Sequence, residues 1–229
     1  MEFLLRVIVL YTSLTTAIST DSPVNELVKL QQDYLDWRLE DHPEYGTMYN
    51  ITTYSDKLES YNMTMFQVRK DKASSLLMRL RKVKVDELPK KEKMNYKILE
   101  TMLSSYVDGY KWVMYSNLNP VSHLIGPQID LEYVMSRTRF KTKADFENYI
   151  SRLRLLPQKF AEYKVLMNEA IRLRRTNHVV SLKGIGKQFE ALQVPVNESV
   201  FYSPFATNIY ATDVSESDRK FSKAFGTAG

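Results

Sequence analysis

Three histidines, His42, His123 and His178, are the candidates for metal ligation or proton transfer. No two fall within one helical turn, so the paired spacing that lets one helix face grip zinc does not occur. Each falls at an expected helix end or in a loop, where an imidazole is satisfied locally or faces water. Asp33, Asp36 and Glu40 share one helix face. Paired carboxylates do acid–base work when burial splits their pKa values, but with Arg38 beside them these read as a solvated face. Lys183-Gly184-Ile185-Gly186-Lys187 has the outline of a phosphate loop. Such a loop needs four residues between its glycines and a Ser or Thr after the lysine; here Gln188 follows, and a turn is expected. The chain has no cysteine and no Gly-x-Ser-x-Gly elbow. No catalytic, cofactor-binding or metal-ligating residue is assigned on these grounds.

Two basic runs, Arg79-Leu80-Arg81-Lys82-Val83-Lys84 and Arg172-Leu173-Arg174-Arg175, fall near expected helix C-termini. Cations there complement the helix dipole. The same runs offer a surface for an acidic glycan or a membrane. They lack the interleaved aromatics of a single-strand binder, and a net charge of +5 is too mild for a nucleic-acid protein. Three sequons, at Asn50, Asn62 and Asn197, are candidate N-glycosylation sites. Asn50 falls in an expected loop, whereas Asn62 is expected on a helix.

The elements that would position these groups read as helices. Seven Gly and eight Pro among 229 residues are few for an all-β chain, and 44% hydrophobic residues suffice for a core. Leu27, Leu30, Tyr34 and Trp37 recur at three- and four-residue spacing and predict a first helix over 23–41. Pro43 and Gly46 stop it. Ser55 can cap a second helix running to about 83. Pro89 opens a third, with Met94, Ile98, Met102, Tyr106 and Tyr110 along one face. Residues 117–128 read as a loop. Thr142 caps a fourth helix that buries Phe146, Tyr149, Ile150 and Leu153. Pro157 starts a fifth, striped by Phe160, Tyr163, Met167 and Ile171. A shorter helix covers 182–192. No period-two alternation is sustained, so the expectation is an all-α, multi-helix antiparallel bundle of about six helices.

At the N-terminus, 3–18 is the most apolar stretch, and small residues Ala17 and Ser19 suit cleavage before Thr20. The stretch is short for a membrane span and Arg6 interrupts it, so no transmembrane anchor is expected. The organisation read from these features is a signal peptide over 1–19, a helical domain over 20–210 and a polar tail over 211–229. The expected location is extracellular, with the lysosome or another secretory compartment as variants.

Several segments together resemble a known family. Tyr34-Leu35 followed by His42-Pro43-Glu44-Tyr45-Gly46 is similar to the opening of the "domain of unknown function 885" family, and Tyr54-Ser55-Asp56-Lys57-Leu58 resembles its next helix start. Pro127-Gln128, Phe146-Glu147-Asn148-Tyr149-Ile150-Ser151-Arg152-Leu153, Leu156-Pro157 and Ser203-Pro204-Phe205 follow in the family's order. The resemblance runs from about Leu27 to about Phe205. It implies a mostly helical fold and a longer protein whose C-terminal half is like a zinc metallopeptidase. There two histidines and a carboxylate hold zinc while a glutamate activates water. That motif is absent here, so no catalytic residue carries over, and zinc is implied only for a C-terminal half outside this sequence. The resemblance thus implies an N-terminal helical region, truncated or naturally short, whose partner is its own catalytic half or a peptide or protein ligand. The alternatives are a stand-alone secreted binding or inhibitory protein and a hydrolase with an unrecognised site.

Overall fold

The computed structural model describes residues 22–207 and 215–217. The signal-peptide reading of 1–19 and most of the 211–229 tail lie outside the described residues. Helices and turns account for all regular structure among them, with no strand. The longer helices are α1 (Pro23–Asp41), α2 (Pro43–Met48), α3 (Thr64–Leu80), α4 (Lys90–Gly109), α5 (Pro127–Arg137), α6 (Lys143–Arg154), α7 (Leu156–Arg172) and α8 (Ile185–Glu190). The all-α expectation holds.

The chain divides into two compact units. In the first, α1, α3 and α4 pack on one another. Leu27, Leu30 and Trp37 of α1 meet Ala73, Leu76, Leu77 and Leu80 of α3 and Leu99 and Leu103 of α4. Burying each such Leu side chain stabilises by about 1.5–3 kcal/mol before entropy is charged. Polar clasps flank this core. Arg69, itself buried, holds the Asp41 carboxylate at 2.8 Å to both oxygens. Arg79 reaches Asp33 at 2.7 Å, which places that carboxylate in an ion pair along the α1 surface.

The second unit comprises His42–Tyr61 and Tyr115–Gly229. Its α2 packs on α5 and its α6 on α7. Met135, Phe146, Tyr149 and Phe205 form a largely aromatic core, with Phe140 tilted against Phe146 and edge to face with Tyr149. Thr142 caps α6 through a reciprocal box with Asp145, as its type and spacing predict. Two helices end in Schellman turns. After α2, Ile51 N–H donates to Gly46 and Asn50 N–H to Thr47, with Asn50 left-handed at φ 60°. After α7, Arg175 N–H donates to Ala170 and Arg174 N–H to Ile171, with Arg174 at φ 55°.

Several expectations are corrected. No helix starts at Ser55; α3 begins at Thr64, and the Ser55 hydroxyl accepts from the Asn148 amide at 3.0 Å instead of capping. Asn62 therefore precedes the helix, its side-chain Oδ1 accepting from the Thr64 N–H and hydroxyl. The α4 face turned to the core is Leu99 and Leu103, while Met94 is 63% exposed. On α7 the buried set is Lys159, Tyr163, Leu166 and Ala170, and Ile171 is 63% exposed. Residues 127–137, expected as loop and unassigned chain, form α5, with Pro127 at its first position and Leu131, Val134 and Met135 inward. The helix expected over 182–192 is shorter, α8 over Ile185–Glu190, and a four-residue helix at Val179–Leu182 precedes it.

Candidate functional site

Four segments of the second unit surround a cavity of about 210 Å³. The turn into α2 brings His42, Glu44 and Tyr45; the irregular chain before α3 brings Glu59 and Tyr61; α5 brings Asp130; α7 brings Lys159 and Tyr163. Pro43 fixes the backbone where α2 starts, and the Schellman turn reverses it so that the 51–61 segment returns alongside. Glu162 then fastens that segment to α7, accepting from Tyr61 N–H at 2.6 Å and from the Ser60 hydroxyl at 3.1 Å.

The polar groups are paired across segments. Lys159 Nζ lies 2.5 Å from Glu44 Oε1, and the other Glu44 oxygen accepts from Glu59 N–H at 2.9 Å. His42 Nδ1 lies 2.8 Å from Glu59 Oε2. The Lys159 ammonium sits over the Tyr61 ring at 5.0 Å, and Tyr61 meets Tyr163 edge to face at 4.6 Å. Burial pushes both phenols well above their ordinary range. The Glu59 and Glu44 carboxylates push them the same way, and the Tyr61 hydroxyl donates to Tyr163. Both hydroxyls therefore stay protonated as donors. Asp130 lies at the rim, open to water on one side. Desolvation raises its carboxyl pKa, against the lowering effect of the Gly126 N–H and of Lys159. The chemistry available is recognition: donors, acceptors and aromatic faces around a space smaller than the roughly 300–1,000 Å³ of drug-sized ligand sites.

Behind the cavity, Arg152 is 0% exposed. It donates to the Thr47 hydroxyl at 2.8 Å, the Lys57 carbonyl at 2.9 Å and the Tyr54 carbonyl at 3.2 Å. Its role is to hold the 47–57 segment in place.

The three histidines are not brought together. His123 Nδ1 lies 3.0 Å from the Ser181 carbonyl, and His178 Nδ1 accepts from Val180 N–H at 3.3 Å. Among the described residues no three His, Cys, Asp or Glu side chains converge as metal ligands. Asp36 accepts from Gln32 on α1, and Gly184 and Gly186 frame the start of α8 rather than a phosphate cradle. The sequons Asn50, Asn62 and Asn197 are all exposed.

Sequence reasoning missed Glu44, Glu59, Tyr61, Asp130, Lys159 and Tyr163 as a group. One signal was available: Lys159 stands in register with Tyr163, Leu166 and Ala170, a charge on the buried stripe of α7 that needs a buried partner.

No curated protein and no solved structure matches the chain. A family model, "Bacterial protein of unknown function (DUF885)", matches residues 43–228, from the proline that opens α2 and including every cavity residue named above except His42. With most of its length under that match, the chain belongs to the DUF885 family.

Proposed function

We propose that this chain is the secreted, helical N-terminal region of a metallopeptidase-like protein, not catalytic on its own, that contributes a ligand-holding wall. The observation that carries the reading is the cavity network. Lys159 is spent on Glu44, His42 on Glu59 and Tyr61 on Tyr163. A paired network of this kind positions a ligand and leaves no base beside a nucleophile. The partner on this reading is the protein's own C-terminal catalytic half or a peptide ligand. Cleavage before Thr20 and glycans on Asn50, Asn62 and Asn197 belong to the same reading. The test is a peptide-hydrolysis panel on the purified chain, with and without chelator. No turnover above blank is expected; reproducible, chelator-sensitive turnover overturns the reading.

The second reading is a stand-alone secreted binding or inhibitory protein, favoured by Asp130, whose carboxylate faces the cavity rim without an ion pair among the described residues. It requires cooperative folding of the chain alone. A molten product that binds hydrophobic dye counts against it.

A further inference from the structure

Two loops of the second unit are built inside out. The 119–126 loop and the 177–188 segment are stitched by polar groups. His123 N–H donates to the Ser181 carbonyl at 2.8 Å and Asn119 to the Arg175 carbonyl at 2.7 Å. Asn177 donates to Val121 at 3.1 Å, and Gln188 to the His123 carbonyl at 3.2 Å. Val121 is buried, but four other aliphatic side chains of these segments are more than half exposed. Leu124 is 71% exposed, Ile125 54%, Val179 72% and Val180 63%. A loop shaped only for water turns polar groups outward; here they are consumed tying the two segments together while two aliphatic pairs, Leu124-Ile125 and Val179-Val180, are presented.

Charge identifies what such a surface meets. From 170 to 189 the chain carries five cations and no carboxylate, and 117–129 carries no charge. Arg172 is held by Glu169, and Arg175 lies over Tyr115 at 3.7 Å. Arg174, Lys183 and Lys187 are exposed and have no ion pair among the described residues. Arg174 occupies a left-handed position that glycine would fill without strain. Among the described residues no helix is long and apolar enough to cross a membrane, so any membrane contact made by them is peripheral. We propose that this loop pair docks on an anionic lipid bilayer, with Leu124, Ile125, Val179 and Val180 entering the headgroup–acyl boundary and Arg174, Lys183 and Lys187 meeting the lipid charge. A sulfated glycan would use the cations but has no use for the aliphatics.

The test is co-sedimentation of the purified protein with vesicles of phosphatidylcholine alone or mixed with phosphatidylserine. Binding to the mixed vesicles that falls with salt is expected. Leu124→Ser with Val179→Ser should weaken it tenfold or more, at about fourfold per methylene-sized group withdrawn. Lys183→Gln with Lys187→Gln should weaken it roughly 25-fold, about fivefold per cation. All four positions are exposed, and circular dichroism checks that the variants stay folded. Because the chain lacks cysteine, Val180→Cys takes a single environment-sensitive dye, whose emission should shift to the blue on binding. The proposal is overturned by any of three results: no binding to the mixed vesicles, binding indifferent to the serine variants, or soluble heparin binding with the dye unshifted by vesicles.

Discussion

Replacing Arg152 with methionine tests the anchor behind the cavity. The side chain is fully buried, and its three acceptors come from a segment about 100 residues earlier. Arg152→Met keeps most of the stem and removes all three hydrogen bonds. Hydrogen bonds to a charged group contribute about 1.5–3 kcal/mol each, so the three total roughly 5–9 kcal/mol. Against this stands the cost of burying the guanidinium, several kcal/mol, which the variant recovers; that cost also depresses the arginine pKa. The net loss expected is about 3–5 kcal/mol, the range for removing one member of a buried charged contact. Arg152→Lys keeps the charge but not the planar fork, and should lose about 2 kcal/mol or more. Urea unfolding followed by far-ultraviolet circular dichroism gives the free energies. Amide exchange should rise at Ser55 and Lys57, whose turn hydrogen bonds rest on the held segment. A loss under about 1 kcal/mol with unchanged exchange refutes the anchoring role.

Three further outcomes follow from the same geometry. Tyr61, Tyr163 and Tyr149 have phenol pKa values raised above the ordinary 10.0, chiefly by burial. The unfolded chain therefore gives up these protons first, so their contribution is full below pH 10 and stability falls as pH rises beyond it. Spectrophotometric titration should show three of the 15 tyrosines ionising only on unfolding, and a single titrating class would contradict this. At Gly126, φ is 132° and an added Cβ would lie 2.6 Å from Gln128 Oε1, so Gly126→Ala should cost about 1–3 kcal/mol in thermal melts; an unchanged melt rejects the close approach. Glu162→Ala removes the acceptor of Tyr61 N–H and should cost about 1.5–3 kcal/mol, with faster exchange at Tyr61; protection equal to the parent's would show that other contacts hold the segment.

What could be read ahead of the structure was local. The α1 stripe, the Thr142 cap and the proline start of α7 depend on neighbours three or four residues away, and all three appear as expected. The Ser55 helix failed because distant groups compete for that segment: Asn148, Arg152 and Glu162 take its polar groups before a helix can. The stripes assigned to α4 and α7 drifted because apolar type was equated with burial. On α7 the lysine at 159 is inside, paired with Glu44, and the isoleucine at 171 is outside. Helix α5 was missed because Gly126-Pro127 was read as loop, although proline at a first helical position is a start signal. The cavity draws on four segments, and no spacing rule joins them.

The clasp between α7 and the segment preceding α3 also sets an order of birth. Glu44 leaves the ribosome 115 residues before Lys159, and Tyr61 leaves 101 residues before Glu162. At about 5–20 residues per second, those partners arrive roughly 5–25 s late. Meanwhile the intervening chain delivers α3 and α4, which complete the core of the first unit with α1. Until those partners arrive, Glu44 lacks Lys159, and the Tyr61 N–H and Ser60 hydroxyl lack the Glu162 acceptor. Slow translation over residues 115–155 would lengthen that wait, and a holdase that shields the His42–Tyr61 stretch should raise the yield of native protein more than one acting on the first unit.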